Sequence, residues 1–191
     1  MKEDVIVVDK FLSKSYFNEL AYLVSSDVFP WSYNKEISNT NNDNRLGSHG
    51  FQFNMIMNGS YRQCRELDIS LGCLKTIQDY IGANNIFKAR YDMTLYNSEK
   101  FLHSPHIDGD EIPNYVSAIL YMNNSDGDTV IYNEKCMSIS DMNYDKEYTI
   151  KKSITPKANR LVLFKGNLVH TGHSPSENKS RVLLNVVFDM D

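Results

Sequence analysis

Histidine is scarce in this chain, five residues in 191, and four of the five fall in two short clusters. His103 and His106 lie in Leu102-His103-Ser104-Pro105-His106-Ile107-Asp108-Gly109-Asp110, and His170 and His173 in Asn167-Leu168-Val169-His170-Thr171-Gly172-His173-Ser174-Pro175. His106 and Asp108 are two positions apart. In an extended chain such residues point to the same side, so an imidazole and a carboxylate can grip one cation. A third ligand must come from elsewhere. His170 is the natural candidate because it opens a strand-end turn in the second cluster, with His173 as the alternative that the residues alone do not rank. Two imidazoles and one carboxylate leave three coordination positions open. The set suits Fe(II) and also accepts Mn(II), Co(II) or Zn(II).

A His-x-Asp pair is common by chance, and histidines in surface turns commonly do nothing. Arg181 changes that balance. It opens the apolar run Arg181-Val182-Leu183-Leu184-Asn185-Val186-Val187-Phe188. An arginine there is either an edge residue reaching for solvent or the anchor of a buried anion. A guanidinium inside a barrel mouth is costly unless paired, and its planar fork pairs best with a carboxylate. A small dicarboxylic co-substrate, chelating the metal at one end and held by Arg181 at the other, accounts for both features.

These residues need strands to place them. Val5 to Val8 reads as a first strand, and Ser13 as the N-cap of a helix carrying Phe17, Leu20, Ala21 and Val24 at helical spacing. Phe51 to Met57 alternates as a strand, and a second helix is expected over 70–81, with Leu74, Ile77 and Ile81 on one stripe and Gly82 as its stop. From residue 86 the period is two: Phe87, Ala89, Tyr91, Met93 and Leu95 alternate with Lys88, Arg90, Asp92 and Thr94, the pattern of a half-buried strand. Further strands are expected over 115–122, 129–132, 148–154, 160–164 and 182–188, separated by turn-rich joints. This spacing indicates a sandwich or barrel braced on one face by the two helices. Trp31 reads as core. The polar stretch 38–50, with asparagines from Asn39 to Asn44, reads as a surface or substrate loop.

Composition narrows the function classes. The net charge is -4 with pI near 5.7, which counts against a broad nucleic-acid surface. No apolar run approaches the roughly 18 residues of a membrane span. Met1-Lys2-Glu3-Asp4 leads straight into a strand with no h-region, so no secretory leader is expected. Cys64, Cys73 and Cys136 have neither finger spacing nor an even count. A reducing cytoplasm, the host's if the chain is viral, is the simplest setting. No Gly-x-Gly-x-x-Gly or P-loop occurs, and Cys136 has no partner base for nucleophilic catalysis.

With these residues in view, the chain resembles the Fe(II)- and 2-oxoglutarate-dependent dioxygenases, in the branch of the prolyl 4-hydroxylase-like enzymes. The resemblance rests on His106-x-Asp108, His170 and Arg181. Leu95-Tyr96-Asn97-Ser98, Tyr121-Met122-Asn123 with Asp126-Gly127-Asp128-Thr129, Pro156 to Phe164, and the last strand Arg181 to Phe188 extend it. It covers roughly residues 87 to 190; Val7-Val8-Asp9-Lys10-Phe11-Leu12 is compatible. What it implies is an α+β, mainly β fold. A double-stranded β-helix (jelly roll, cupin-like) of about 87–190 would carry N-terminal supporting helices in 1–86, all within one domain of 1–191. It implies Fe(II) held by His106, Asp108 and His170, with 2-oxoglutarate bound by Arg181 and Tyr96. Dioxygen would be consumed, and ascorbate is an optional reductant. His103, Tyr121 and His173 are the candidates for touching substrate or backing the ligands, with a solvent-facing role the stronger expectation for His103.

Three departures stand out: Asp126 in place of a glycine, Asn159 where glycine is usual and φ is positive, and Leu183 where relatives carry a small polar residue. The implied reaction is hydroxylation of a C–H bond coupled to oxidation of 2-oxoglutarate to succinate and CO2, with peptidyl proline the leading substrate. A free amino acid or other small molecule is the runner-up. A non-catalytic or keto-acid-independent cupin-like metal protein is the rival class, and it has no use for Arg181. The partner is then a polypeptide or small molecule rather than nucleic acid or membrane, with the oligomeric state open.

Overall fold

The computed structural model describes residues 1, 3–35, 37, 49–109 and 112–191. Eleven strands and two helices follow in chain order: β1 (Val5–Asp9), α1 (Lys14–Ser25), β2 (Ser32–Asn34), β3 (Gly50–Met57), β4 (Ser60–Tyr61), α2 (Arg65–Ile81), β5 (Asn85–Leu95), β6 (Tyr115–Tyr121), β7 (Thr129–Lys135), β8 (Ile150–Ile154), β9 (Arg160–Lys165), β10 (Leu168–Gly172) and β11 (Ser180–Asp189). The strands form two antiparallel sheets. The larger runs β1-β9-β6-β11-β5-β3-β2, with β4 hanging on β3, and the smaller runs β10-β7-β8. The two sheets face each other as a jelly roll, as expected.

Alternation along the central strands decides what lies between the sheets. Val182, Leu184, Val186 and Phe188 of β11 face the helices, together with Leu161 and Leu163 of β9 and Ala118 and Leu120 of β6. The opposite face of the same strands sends Ile119, Tyr121, Val162, Phe164 and Leu183 toward Ile131 and Ile154 of the smaller sheet. The large sheet is thus covered on both sides, which is why β6 is buried at every position. Both helices lie on one face, α1 through Phe17, Leu20, Leu23 and Val24 and α2 through Leu67, Cys73, Leu74 and Ile77. Trp31 packs against that core beside Phe29, with ring centroids 4.6 Å apart.

Ser13 caps α1, its hydroxyl accepting from the Tyr16 amide, and Gly82 ends α2 at φ 66°. Helix α2 begins at Arg65, five residues before the expected start. Its first turn carries Glu66 and Asp68, which favour a helix N-terminus, but the inward position 70 is a serine. The Ser70 hydroxyl is buried against the Tyr91 hydroxyl at 2.8 Å, so a polar residue occupies a core-facing place and hides the stripe. Three further strands were not foreseen: the edge pieces β2 and β4, and β10.

Asn159 holds φ 63°, as its place in the sequence required. Its side chain does more than glycine could. Oδ1 accepts from the Leu12 amide at 2.9 Å and Nδ2 donates to the Leu12 carbonyl at 2.9 Å, tying the N-terminal segment to the sheet. Asn159→Gly should therefore lose about 2 kcal/mol, two buried hydrogen bonds at about 1 kcal/mol each. Asn159→Ala should lose about 3 kcal/mol, because left-handed backbone costs alanine roughly 1 kcal/mol that glycine, and asparagine through its local side-chain hydrogen bonding, largely escape. Urea unfolding of both variants checks the order; a glycine variant as stable as the parent would show that the side-chain clamp contributes nothing.

Candidate active site

The two histidine clusters meet. Residues 102–106 run antiparallel to 170–173, with bridges Leu102↔His173 and His106↔His170 and reciprocal His106/His170 backbone bonds of 2.8 and 2.9 Å. His170 is therefore not in a strand-end turn but in the body of β10. Leu168, two residues earlier, packs between the sheets, so the alternation aims His170 to the same interior. His173 falls past the end of β10 at the opposite parity. One ligand atom from each of His106, Asp108 and His170 lies within 4.8 Å of the others. His173 is not in that group.

The electrostatics fit a dication. The Nδ1 atoms of His106 and His170 face the carbonyls of Ser104 (3.2 Å) and Leu168 (3.1 Å). Donation to those carbonyls leaves both Nε2 lone pairs free. His170 Nε2 stands 3.4 Å from Asp108 Oδ2, near the roughly 3 Å expected of neighbouring ligands at about 2.1 Å from one cation. Asp108 Oδ2 is buried and accepts no hydrogen bond, whereas Oδ1 takes a long one of 3.4 Å from Asn185. An orphaned carboxylate oxygen aimed at two imidazoles is a metal ligand in waiting. Burial opposes the charge on Asp108, but His170, His106 and Lys88 outweigh it and hold the carboxyl well below the usual carboxylate range. Burial, reinforced by His170, pushes the His106 pKa down to about 3, which keeps the ring neutral and able to ligate.

The same cavity contains Arg181. The register of β11 against β5 pairs Arg181 with Thr94, Leu183 with Asp92 and Asn185 with Arg90, so all six side chains share the inner face. They line, with His103, His106, Ile119, Thr129 and His170, one partly open cavity. The polar face of β5, which simple half-burial would give to solvent, is the wall of this cavity. Arg181 is only 7% exposed. Its Nη2 donates to Thr129 Oγ1 at 2.6 Å, its Nε is buried without a partner, and it makes no ion pair among the described residues. Gly172 leaves the room it needs, since a Cβ there would meet the guanidinium at 3.1–3.3 Å.

Tyr96 requires a correction. Its side chain is 55% exposed and does not line the cavity, because β5 ends at Leu95 and the chain then turns, the Tyr96 amide bonding the Lys179 carbonyl. The phenol beside the arginine is Tyr121, fully buried, with its hydroxyl 2.6 Å from Thr129 Oγ1 and its ring 5.7 Å from the Arg181 guanidinium carbon. His103 also departs from expectation. It is 4% exposed, bonds Ser174 Oγ at 3.0 Å and lines the cavity. Asp126, the departure from glycine, accepts from the amides of Ser176, Glu177 and Asn178 and so fixes the loop before β11. Leu183 forms part of the cavity wall, where it is an apolar neighbour for whatever Arg181 holds. Asp110 and residues 38–48, including Asn39 to Asn44, lie outside the described residues.

Comparison with known proteins agrees with this geometry. A search of curated proteins found no significant match. Among solved structures, a 2OG-Fe(II) oxygenase family oxidoreductase from Burkholderia pseudomallei superposes with TM-score 0.69 at 10% identity, covering 98% of this chain and 86% of that one. A Pseudomonas putida prolyl-4-hydroxylase gives 0.63 at 15% identity over 98% and 93%. SnoK, a non-heme alpha ketoglutarate dependent carbocyclase from nogalamycin biosynthesis, gives 0.68 at 11% over 99% and 81%. At such identities the likeness is one of fold. The family model described as the 2OG-Fe(II) oxygenase superfamily matches residues 91–189, more than half of the chain. That span runs from β5 to the end of β11 and contains all three clustered residues and the buried arginine, and the chain belongs to the 2OG-Fe(II) oxygenase superfamily, whose members use Fe(II), 2-oxoglutarate and O2.

Proposed function

We propose that this protein hydroxylates an unactivated C–H bond, with His106, Asp108 and His170 holding Fe(II) and Arg181 pairing with the distal carboxylate of 2-oxoglutarate. The observation that carries this reading is the buried guanidinium, without an ion pair among the described residues, in the same cavity as two imidazoles that a carboxylate backs. A metal-only cupin leaves Arg181 without a purpose. Bound iron supplies the activation of dioxygen that oxidises 2-oxoglutarate to succinate and CO2 while the substrate gains one oxygen atom.

The chain's own residues do the rest. The Ser104 and Leu168 carbonyls fix both histidine tautomers. Thr129 and Tyr121 hold the guanidinium in one orientation, so a keto acid seated on it is delivered at a set distance from the ligands. Ile119 and Leu183 give the chamber apolar walls, beside which charge pairing is stronger than in bulk water.

For substrate, the proposal is a prolyl residue in a peptide, supported by the likeness to the Pseudomonas putida prolyl-4-hydroxylase and by the -4 charge that disfavours nucleic acid. The likeness to SnoK keeps a small molecule as the second reading. Succinate release by the Fe(II)-loaded chain, screened with prolyl peptides, free amino acids and methylated oligonucleotides, tests it. A prolyl peptide should give succinate and a product heavier by one oxygen on the proline ring. Turnover of an oligonucleotide with no coupled turnover of any peptide would overturn the substrate and leave the chemistry standing.

A further inference from the structure

A second recess reaches the ligand cluster, and Arg181 takes no part in it. Its walls are Lys88, Arg90, His106 and Asp108 with the apolar side chains of Ile139, Met142 and Tyr144, around about 180 Å³ of space. Lys88 and Arg90 arrive there by the same alternation on β5 that sends Asp92 and Thr94 toward Arg181. Arg90 borders both spaces.

Among the described residues the charges in this recess do not balance. Asp92 is committed to Arg90, Oδ2 to Nε at 2.9 Å. Asp108 is committed to the metal position. Lys88 is partly buried and makes no ion pair with any described carboxylate. Burial and then the neighbouring Arg90 charge lower its pKa, against the pull of Asp108 and Asp92. A bound dication would more than cancel the Asp108 charge, leaving a net positive pocket beside an apolar wall. Lysine and arginine are seldom drawn inward without an anion to meet them.

Building on the hydroxylase reading above, we infer that Lys88 and Arg90 form an anion-recognition subsite for the substrate, and that the substrate carries a carboxylate close to the carbon that is oxidised. Ile139, Met142 and Tyr144 take its apolar part. The carboxylate has two sources, an acidic residue flanking the target in a peptide or the free carboxyl group of an amino acid.

Matched acid and amide probes test this without turnover. The full chain, loaded anaerobically with Mn(II) and 2-oxoglutarate, is titrated by calorimetry with acetylated Glu-Pro and Gln-Pro peptides and with L-proline and L-prolinamide. At least one acid should bind tenfold or more tightly than its amide, and the pair that discriminates identifies the source. Lys88→Met should abolish the preference, Lys88→Arg should keep it, and Lys88→Glu should reverse it, with Mn(II) and 2-oxoglutarate still bound by all three. Equal binding of acid and amide in both pairs, or no binding by any probe, overturns the inference. So does a Lys88→Met variant that keeps the preference; if it also binds Mn(II) more tightly, Lys88 is only a counter-charge to Asp108. Acid preference with no succinate formed when the same chain is loaded with Fe(II) instead and exposed to air would refute the hydroxylase reading while the anion subsite stands.

Discussion

Arg181→Leu should weaken 2-oxoglutarate binding at least about 30-fold, or about 2 kcal/mol, the lower end for removing one partner of a buried charge pair. The geometry explains why the loss should be large. The guanidinium is almost fully buried, has Thr129 Oγ1 as a hydrogen-bond acceptor and lacks an internal carboxylate among the described residues, so an arriving dicarboxylate would be its first full partner. Arg181→Lys should also bind poorly, since an ammonium cannot reproduce the two parallel bonds of the fork. Metal binding should survive in both variants because Arg181 is outside the ligand cluster. Calorimetry with Mn(II)-loaded protein separates the two affinities. Unchanged 2-oxoglutarate affinity in Arg181→Leu would return the chain to the keto-acid-independent alternative.

The residues that could be read from the sequence are those whose partners lie on the same short stretch of chain. His106 and Asp108 share a side of one extended segment, and Arg181 begins a strand whose apolar run is continuous, so spacing alone brings them forward. The third member of the cluster needed knowledge of β10. Lys165-Gly166-Asn167 reads as a turn, the strand that follows is only five residues long, and His170 was therefore placed at an end instead of in the middle. Once Leu168 is seen to face inward, parity selects His170 over His173. The same kind of information decides between Tyr96 and Tyr121. Both follow an apolar strand run, but only the end of pairing at Leu95 and the register Leu183↔Tyr121 show which phenol faces inward. The charged face of β5 was misleading for a physical reason. Alternation shows that two faces differ, and it does not show whether the polar one meets water or a catalytic chamber. His103 stands out in the sequence only as a cluster member expected to face solvent, because its burial depends on the pairing of 102–106 with 170–173, more than sixty positions away in sequence.

The ligand assignment makes the other large prediction. His106→Ala should lower Fe(II) or Mn(II) affinity by more than about 100-fold, since removing only an outer partner of a ligand costs about 10–100-fold. His170→Ala should do the same, and His173→Ala should change affinity little. The contrast is sharp because His170 and His173 are three residues apart on one segment, so a general disturbance of 170–173 would harm both variants alike. Stability provides a second readout. Metal at 100 times its dissociation constant should raise the unfolding free energy of the parent by about 2.7 kcal/mol, and the gain should vanish in His106→Ala and persist in His173→Ala. Without metal the ordering need not hold, because replacing His106 also removes a neutral ring packed 4.4 Å from that of His170. The metal-dependent part of the shift is thus the quantity that identifies a ligand. If His173→Ala lost that part and His170→Ala kept it, the chain in solution would present the cluster with the opposite parity of β10, and the assignment of the distal ligand would be reversed.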